Sequence, residues 1–266
     1  MSKINDQDYL RNEQYKDASN LNARIRLHLE FSTNKYGWFR WVFDQYKLVP
    51  QARVLELGCG PGDLWLENID RVPEGWEIVL SDFSTGMLDQ AWEKLVGQPH
   101  PFNFETIDAQ SIPYETDHFD IVIANHCLYH FPDRPKAISE IRRVLKPGGR
   151  FYGTTIGIHH MIELSDLAAR FDPEMAAPLR SKDIPFVLEN GGEQLRAFFS
   201  DVQMRRYQDE LRVTDVDVLV DYAFSGMRLG LEENCREEFA NFVEQEMAAK
   251  DGFIRIKKDS GIFLAR

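Results

Sequence analysis

Apolar residues along the chain fall into two rhythms, one of short continuous runs and one of helical spacing. The runs "RVLEL" (53–57), "WEIVLSD" (76–82), "FNFETID" (102–108), "FDIVIAN" (119–125) and "RFYGTTI" (150–156) predict buried strands. Between them, apolar residues at helical spacing predict helices after Gly62, over Thr85–Leu95 and over Arg134–Leu145. The last of these is punctuated at both ends. Asp133 can cap it, Pro135 suits a first turn, and "KPGG" (146–149) cannot continue it. Residues 17–47 read as helical up to a boundary at "LVPQ". Strand and helix in repetition imply a parallel sheet covered on both faces.

After residue 157 the rhythm loosens. The stretch 158–190 reads as an inserted helical segment over one rim of the sheet, followed by helical "EQLRAFF" and extended "VQMRRYQDELRV". Helices are expected near 215–226 and 232–249. The final "FIRIKKDSGIFLAR" reads as two short alternating runs around a turn at "KDSG", a terminal hairpin. The expected architecture is α/β: a doubly wound, mostly parallel, seven-stranded sheet. It divides into an N-terminal helical cap (1–49) and a main domain (50–266) carrying the insertion at about 158–190.

Composition narrows the possibilities. In 266 residues, 43 acids against 31 bases give a formal charge of −12, which phosphate backbones and anionic lipid repel. No basic face offsets this, so nucleic acid and membranes are not expected partners. The first residues, "MSKINDQDYLRNEQYKD", lack the apolar core of a signal peptide, and no run is long enough to span a bilayer. A cytoplasmic protein is expected. Three scattered cysteines, Cys59, Cys127 and Cys235, make neither a disulfide framework nor a metal cluster.

Candidate chemistry concentrates at "VLELGCGPGD" (54–63), where a strand runs into glycines at every second position. Gly58, Gly60 and Gly62 permit positive φ and a close backbone approach before a helix N-terminus. About twenty residues on, Asp82 ends the second strand, where a carboxylate can accept from both ribose hydroxyls. An adenosine pocket follows. Asp63 occupies the sixth position, where a dinucleotide fingerprint has glycine, and no lysine follows as in a phosphate loop. With Glu56 before the turn, the acidic surroundings suit a ligand with a positive centre and an ammonium, S-adenosylmethionine, over the pyrophosphate of NAD.

"VLELGCGPGDLW", "SDFSTGMLDQA", "IDAQSIPYETDHFDIVIANHCLYHFPD" and "EIRRVLKPGGRFYGTT" stand in the order and spacing of the class I S-adenosylmethionine-dependent methyltransferases. Over residues 50–157 the chain resembles their small-molecule group, often called type 11. The resemblance implies a Rossmann-like fold and S-adenosylmethionine as cofactor. It implies that Glu56 and the turn Gly58–Gly62 hold the methionine part, and that Asp82 takes the ribose hydroxyls. Phe83 and Met87 would flank the adenine, Asp108 and the Ala109 amide would read its amino edge, and the Asn125 carbonyl would reach the ammonium. Two alternatives stay open: Met87 as ordinary helix core, and Glu56 as a group that only orients the loop.

The fourth strand delivers "NHCLYH" to the carboxyl edge of the sheet, where ligands of open α/β sheets bind. His126, Tyr129 and His130 are the candidate catalytic groups. His126 is either a base titrating near pH 6 to 7 or a pocket wall. A histidine at the His130 position recurs in the resembled family across different substrates, which favours an orienting role. Cys127 reads as core. The missing proline loop argues against nucleic-acid or protein amides, and no acids gather at that edge for magnesium. A small organic acceptor is left. Trp38, Phe39, Trp41 and Tyr46 either pack on the sheet or line an acceptor pocket, and His159 and His160 either face the rim or lie exposed. The competing reading is a binding protein on the same fold that senses or scaffolds without transfer.

Overall fold

The computed structural model describes residues 3–16, 19–173, 184–225 and 231–266. Its strands are β1 (Gln51–Leu57), β2 (Gly75–Asp82), β3 (Phe102–Thr106), β4 (Phe119–Asn125), β5 (Leu145–Ile156), β6 (Val202–Val213) and β7 (Ile254–Ala265). They form one sheet in the order β3-β2-β1-β4-β5-β7-β6. Pairing is parallel from β3 to β5, and β7 is antiparallel to both its neighbours. The order reverses at β1, whose two neighbours β2 and β4 leave from opposite sides, so a crevice opens beyond their carboxyl ends.

The helices are α1 (Ser19–Phe31), α2 (Trp38–Asp44), α3 (Asp63–Leu66), α4 (Thr85–Leu95), α5 (Arg134–Val144), α6 (Ile162–Phe171), α7 (Leu188–Arg196), α8 (Val216–Phe224) and α9 (Arg236–Ala248). Local chemistry fixes their starts. The side chains of Ser84, Asp133 and Asp215 each accept from a backbone N–H in the first turn of α4, α5 and α8. Apolar faces of α5 and the sheet share a core that includes Val122, Ile138, Ile141 and Phe151. A second core joins Leu27 of α1 to α6, α8, α9 and the start of β7 through Leu164, Leu219, Phe239 and Ile256. The N-terminal helix and the segments after β5 therefore pack as one layer over the strand ends. Among the described residues no helix is long and apolar enough to cross a membrane.

Two expectations need correction, and a third can be followed only in part. The stretch over 17–47, of which 17 and 18 lie outside the described residues, holds two helices: α1 ends at Phe31, and after a non-helical link α2 starts from Gly37, whose φ is 91°. Of the insertion at 158–190, α6 and the first residues of α7 are helical, while 174–183 lies outside the described residues. The terminal hairpin does not exist: β7 runs unbroken through "KDSG", with Asp259, Ser260 and Gly261 opposite Gln208, Tyr207 and Arg206 of β6. Asp259 pairs with Arg206 across the strands, and a Cβ on Gly261 would stand 2.5 Å from the Arg205 carbonyl oxygen. Close strand approach, not turning, explains that glycine. Gly261→Val should then lower unfolding free energy by about 1–3 kcal/mol in urea denaturation, where a turn-tip glycine would tolerate the change far better.

Candidate functional site

Above the switch point lies a cavity of about 710 Å³. Its floor is the turn after β1 and the ends of β2 and β4, and its roof is the N-terminal segment with α1 and the start of α2. Every expected site residue lines it except Gly62.

The three glycines do different work. A Cβ on Gly60 would meet only a Leu21 methyl at 3.6 Å, so this residue opens onto the cavity with φ of 54°. A Cβ on Gly58 would stand 2.9 Å from the Cys127 Cβ, and one on Gly62 would stand 2.9 Å from Leu95 on α4. At these two positions the missing Cβ also permits close packing, and Gly58 lines the cavity as well. Asp82 fastens the turn: its carboxylate accepts from the Gly60 N–H at 3.0 Å and from the Ser84 N–H at 2.8 Å. Burial pushes its pKa up, against those backbone donors. Asp108 is oriented likewise by the Gln110 N–H at 2.9 Å.

Glu56 sits at the centre, 2% exposed. It accepts from the Trp65 indole N–H at 2.5 Å and from the Asn125 amide at 2.8 Å, tying α3 and the end of β4 to β1. Burial raises its pKa to about 7, with Asp82 adding repulsion. The side-chain oxygen of Asn125 is buried and has no hydrogen-bond partner among the described residues. Phe83 and Met87 supply apolar surface; Arg11 of the roof lies 5.4 Å from the Phe83 ring centroid. The set fits S-adenosylmethionine: acceptors for ribose and ammonium, apolar faces for a purine, and an open glycine where the backbone must approach.

At the other end, β4 stops at Asn125 and His126 takes a φ of 50°, rare for a residue with a Cβ. Its N–H bonds both the carbonyl and the hydroxyl of Thr154, each at 3.1 Å, which holds the turn. The imidazole meets the Trp38 ring at 5.3 Å, and Trp38 stacks on Trp41. Tyr46, by contrast, is buried against Tyr152. The aromatic stretch thus both lines the cavity and packs on the sheet. Burial, with Lys258 and His130 contributing, lowers the His126 pKa to about 4. Burial thus favours the neutral imidazole at neutral pH, which suits the pocket-wall alternative better than a base titrating near pH 6 to 7.

His130 is spoken for at both ring nitrogens. Nδ1 lies 2.6 Å from the Ile4 carbonyl, so it carries the proton, and Nε2 accepts from the Tyr15 hydroxyl at 3.0 Å. Burial lowers its pKa to about 4. With Ser84 donating to the Tyr15 carbonyl at 2.7 Å, it straps the roof down over the cavity. Tyr129 is half-buried among the same groups, and its pKa is raised well above the usual phenol value by burial. His160 is buried and lines the cavity, while His159 is exposed. Lys258 and Ser260, which also line it, were hidden by the misread "KDSG". One signal could have found them: Ile254, Ile256, Ile262 and Leu264 keep a single phase of alternation across those residues.

A carboxylate-rimmed cavity over the switch point of this sheet defines a Rossmann-like protein of the methyltransferase fold. Residues 55–153 match the family model Methyltransf_11, described as "Methyltransferase domain". The match falls within the region of the four motifs, and solved structures share the fold. Phosphoethanolamine N-methyltransferase 2 of Haemonchus contortus superimposes with a TM-score of 0.60 at 18% identity, covering 100% of this chain and 60% of that one. YcgJ of Bacillus subtilis does so at 0.58 and 18%, covering 85% and 96%. The [4+2]-cyclase SpnF shares the fold at 0.53 and 22%, covering 86% and 79%. In sequence, the ubiquinone/menaquinone biosynthesis C-methyltransferase UbiE of Vibrio vulnificus is 36% identical over 118 residues, 42% of this chain and 44% of that protein. The demethylmenaquinone methyltransferase of Lactobacillus johnsonii is 32% identical over 143 residues, 51% and 59%. The chain thus spans about half the length of the curated relatives it matches.

Glu56 makes a testable pH dependence. Between the usual carboxyl value of 4.5 and its folded value of about 7, the folded protein holds a proton that the unfolded chain has lost. Stability should therefore fall as pH rises through that window, by up to about 3 kcal/mol from this group. Glu56→Gln keeps an acceptor for Trp65 and removes the proton. Urea unfolding at pH 5 and 7.5 should show this part of the decline in the parent and its absence in the variant.

Proposed function

We propose that the protein is an S-adenosylmethionine-dependent methyltransferase acting on a small organic acceptor. The observation that carries the reading is the continuity of the cavity. One end is built from Gly60, Asp82, Asp108 and Asn125, and it is continuous with an aromatic chamber at His126 and Trp38. When bound, S-adenosylmethionine supplies a methyl group already attached to a positively charged leaving group. The chain has to orient the acceptor and keep water out.

In this reading Asp82 takes the ribose hydroxyls with lone pairs that Gly60 and Ser84 leave open. Phe83 and Met87 flank the adenine, Asp108 and the Ala109 amide read its edge, and Asn125 and Glu56 receive the ammonium. His126 contributes a neutral acceptor beside the methyl. With a pKa near 4 it is a weak base, so its part is to orient a donor hydrogen more than to strip it. Tyr129 and His130 keep the roof in register and act as positioning residues. The aligned family domain ends at 153, whereas Trp38, His160, Lys258 and Ser260 lie outside it, so the relatives' acceptors do not transfer with the cofactor half. The negative charge and the missing proline loop support a metabolite over nucleic acid. Cys59, Cys127 and Cys235 are free thiols, which suits the reducing cytoplasm.

Calorimetry should show S-adenosylhomocysteine binding and no NAD binding, with Asp82→Ala weakening the former about ten- to a hundredfold. NAD binding in its place would overturn the reading. A metabolite panel assayed for S-adenosylhomocysteine release should identify an acceptor. Cofactor binding with no turnover on any class would favour the sensor or scaffold alternative. For an active pair, His126→Ala should lower kcat by about tenfold, less than the loss of a well-matched base, with no acid limb near pH 6 to 7 in the parent profile.

A further inference from the structure

The acceptor end of the cavity contains a desolvated ion pair that the cofactor half does not require. Asp209 and Lys258 face each other across β6 and β7, and Lys258 Nζ lies 2.6 Å from Asp209 Oδ2. Their side chains are 0% and 6% exposed. Asp209 is fully engaged: it also accepts from the Ser32 hydroxyl at 2.7 Å, the Asn34 N–H at 3.0 Å and the Glu210 N–H at 2.8 Å. Lys258, unlike Asp209, lines the cavity, with Tyr207 beneath its ammonium and the charge close enough to be felt at His126. Asp209 uses one of the three ammonium N–H groups.

Such a pair is a poor source of stability, because removing both charges from water costs about what their attraction returns. As a device for holding an ammonium at a fixed point in an apolar, aromatic chamber it makes sense. We propose that Lys258, pinned by Asp209, docks an anionic oxygen of the methyl acceptor against the Trp38 and His126 rings. The oxygen belongs to an ionised phenol or enol, or to a carboxylate; the chemistry recognised is the same. The inference rests on the methyltransferase reading and deepens it. It gives the acceptor a negative group where His126, nearly unable to take a proton, meets it.

The test uses aromatic probes on full-length protein saturated with S-adenosylhomocysteine. The phenolate arm compares 4-nitrophenol, above its own pKa, with nitrobenzene; the carboxylate arm compares benzoate with benzamide. The parent should prefer the anion by at least about tenfold in one arm, which also says which oxygen is recognised. If 4-nitrophenol is preferred, its ionisation, read from its visible absorbance, should shift to lower pH on binding. Lys258→Met should abolish the preference and any such shift while S-adenosylhomocysteine affinity and neutral-probe binding persist. Because that change strands a buried carboxylate, Lys258→Met/Asp209→Asn is made in parallel, and the same loss is expected in it. A preference that survives in the folded variants, or is absent from the parent, overturns the role of Lys258. Failure of S-adenosylhomocysteine to bind the parent at all would instead overturn the methyltransferase reading, so the two are separable.

Discussion

A carboxyl group held in the middle of a parallel sheet is the constraint on which the site depends. Glu56 cannot ionise cheaply there, and it cannot be left without partners, so the chain gives it two donors from different elements. Trp65 comes from the helical turn that follows the glycines, and Asn125 from the end of the neighbouring strand. Satisfying one buried group thus ties the helical turn α3 and the end of β4 to β1, two strands whose spacing the sheet ladder already fixes. Asp82 repeats the device one strand over, spending its carboxylate on the backbone of the glycine turn.

What was legible in the sequence was what short-range periodicity encodes. The strands β1 to β5, the cap of α5, and the row of polar residues at the strands' carboxyl ends follow from neighbours a few positions apart. Contacts between distant segments were not legible. His130 bonds Ile4 and Tyr15, more than a hundred residues away, and nothing in "NHCLYH" announces them. The spacing of Gly58 and Gly62 could not show that a Cβ there would also meet Cys127 and Leu95. "KDSG" looked like a turn because its composition is that of turns; the cross-strand pairing with Arg206 and Tyr207 overrides composition.

The two halves of the cavity have different origins in the chain. The floor is one contiguous stretch, and that is where similarity to the Methyltransf_11 model is found. The walls of the acceptor chamber are gathered from α1, α2, the turn before α6, α8 and β7. A shared floor with separately assembled walls is how one fold comes to serve different reactions, as the cyclase and methyltransferase neighbours show together.

The position of β7 orders the assembly in time. It follows β5 and β6 in the chain yet lies between them in the sheet, so β6 has no strand to join until β7 has been made. A ribosome-bound chain can close β1 to β5 by local crossovers, with the glycine turn and its carboxylates in place. The antiparallel half must wait for contacts of long sequence separation, which are slow to form. The cofactor floor therefore precedes the part of the acceptor wall that β7 carries. Until that wall arrives, the apolar inner edge of β5 is open to other chains.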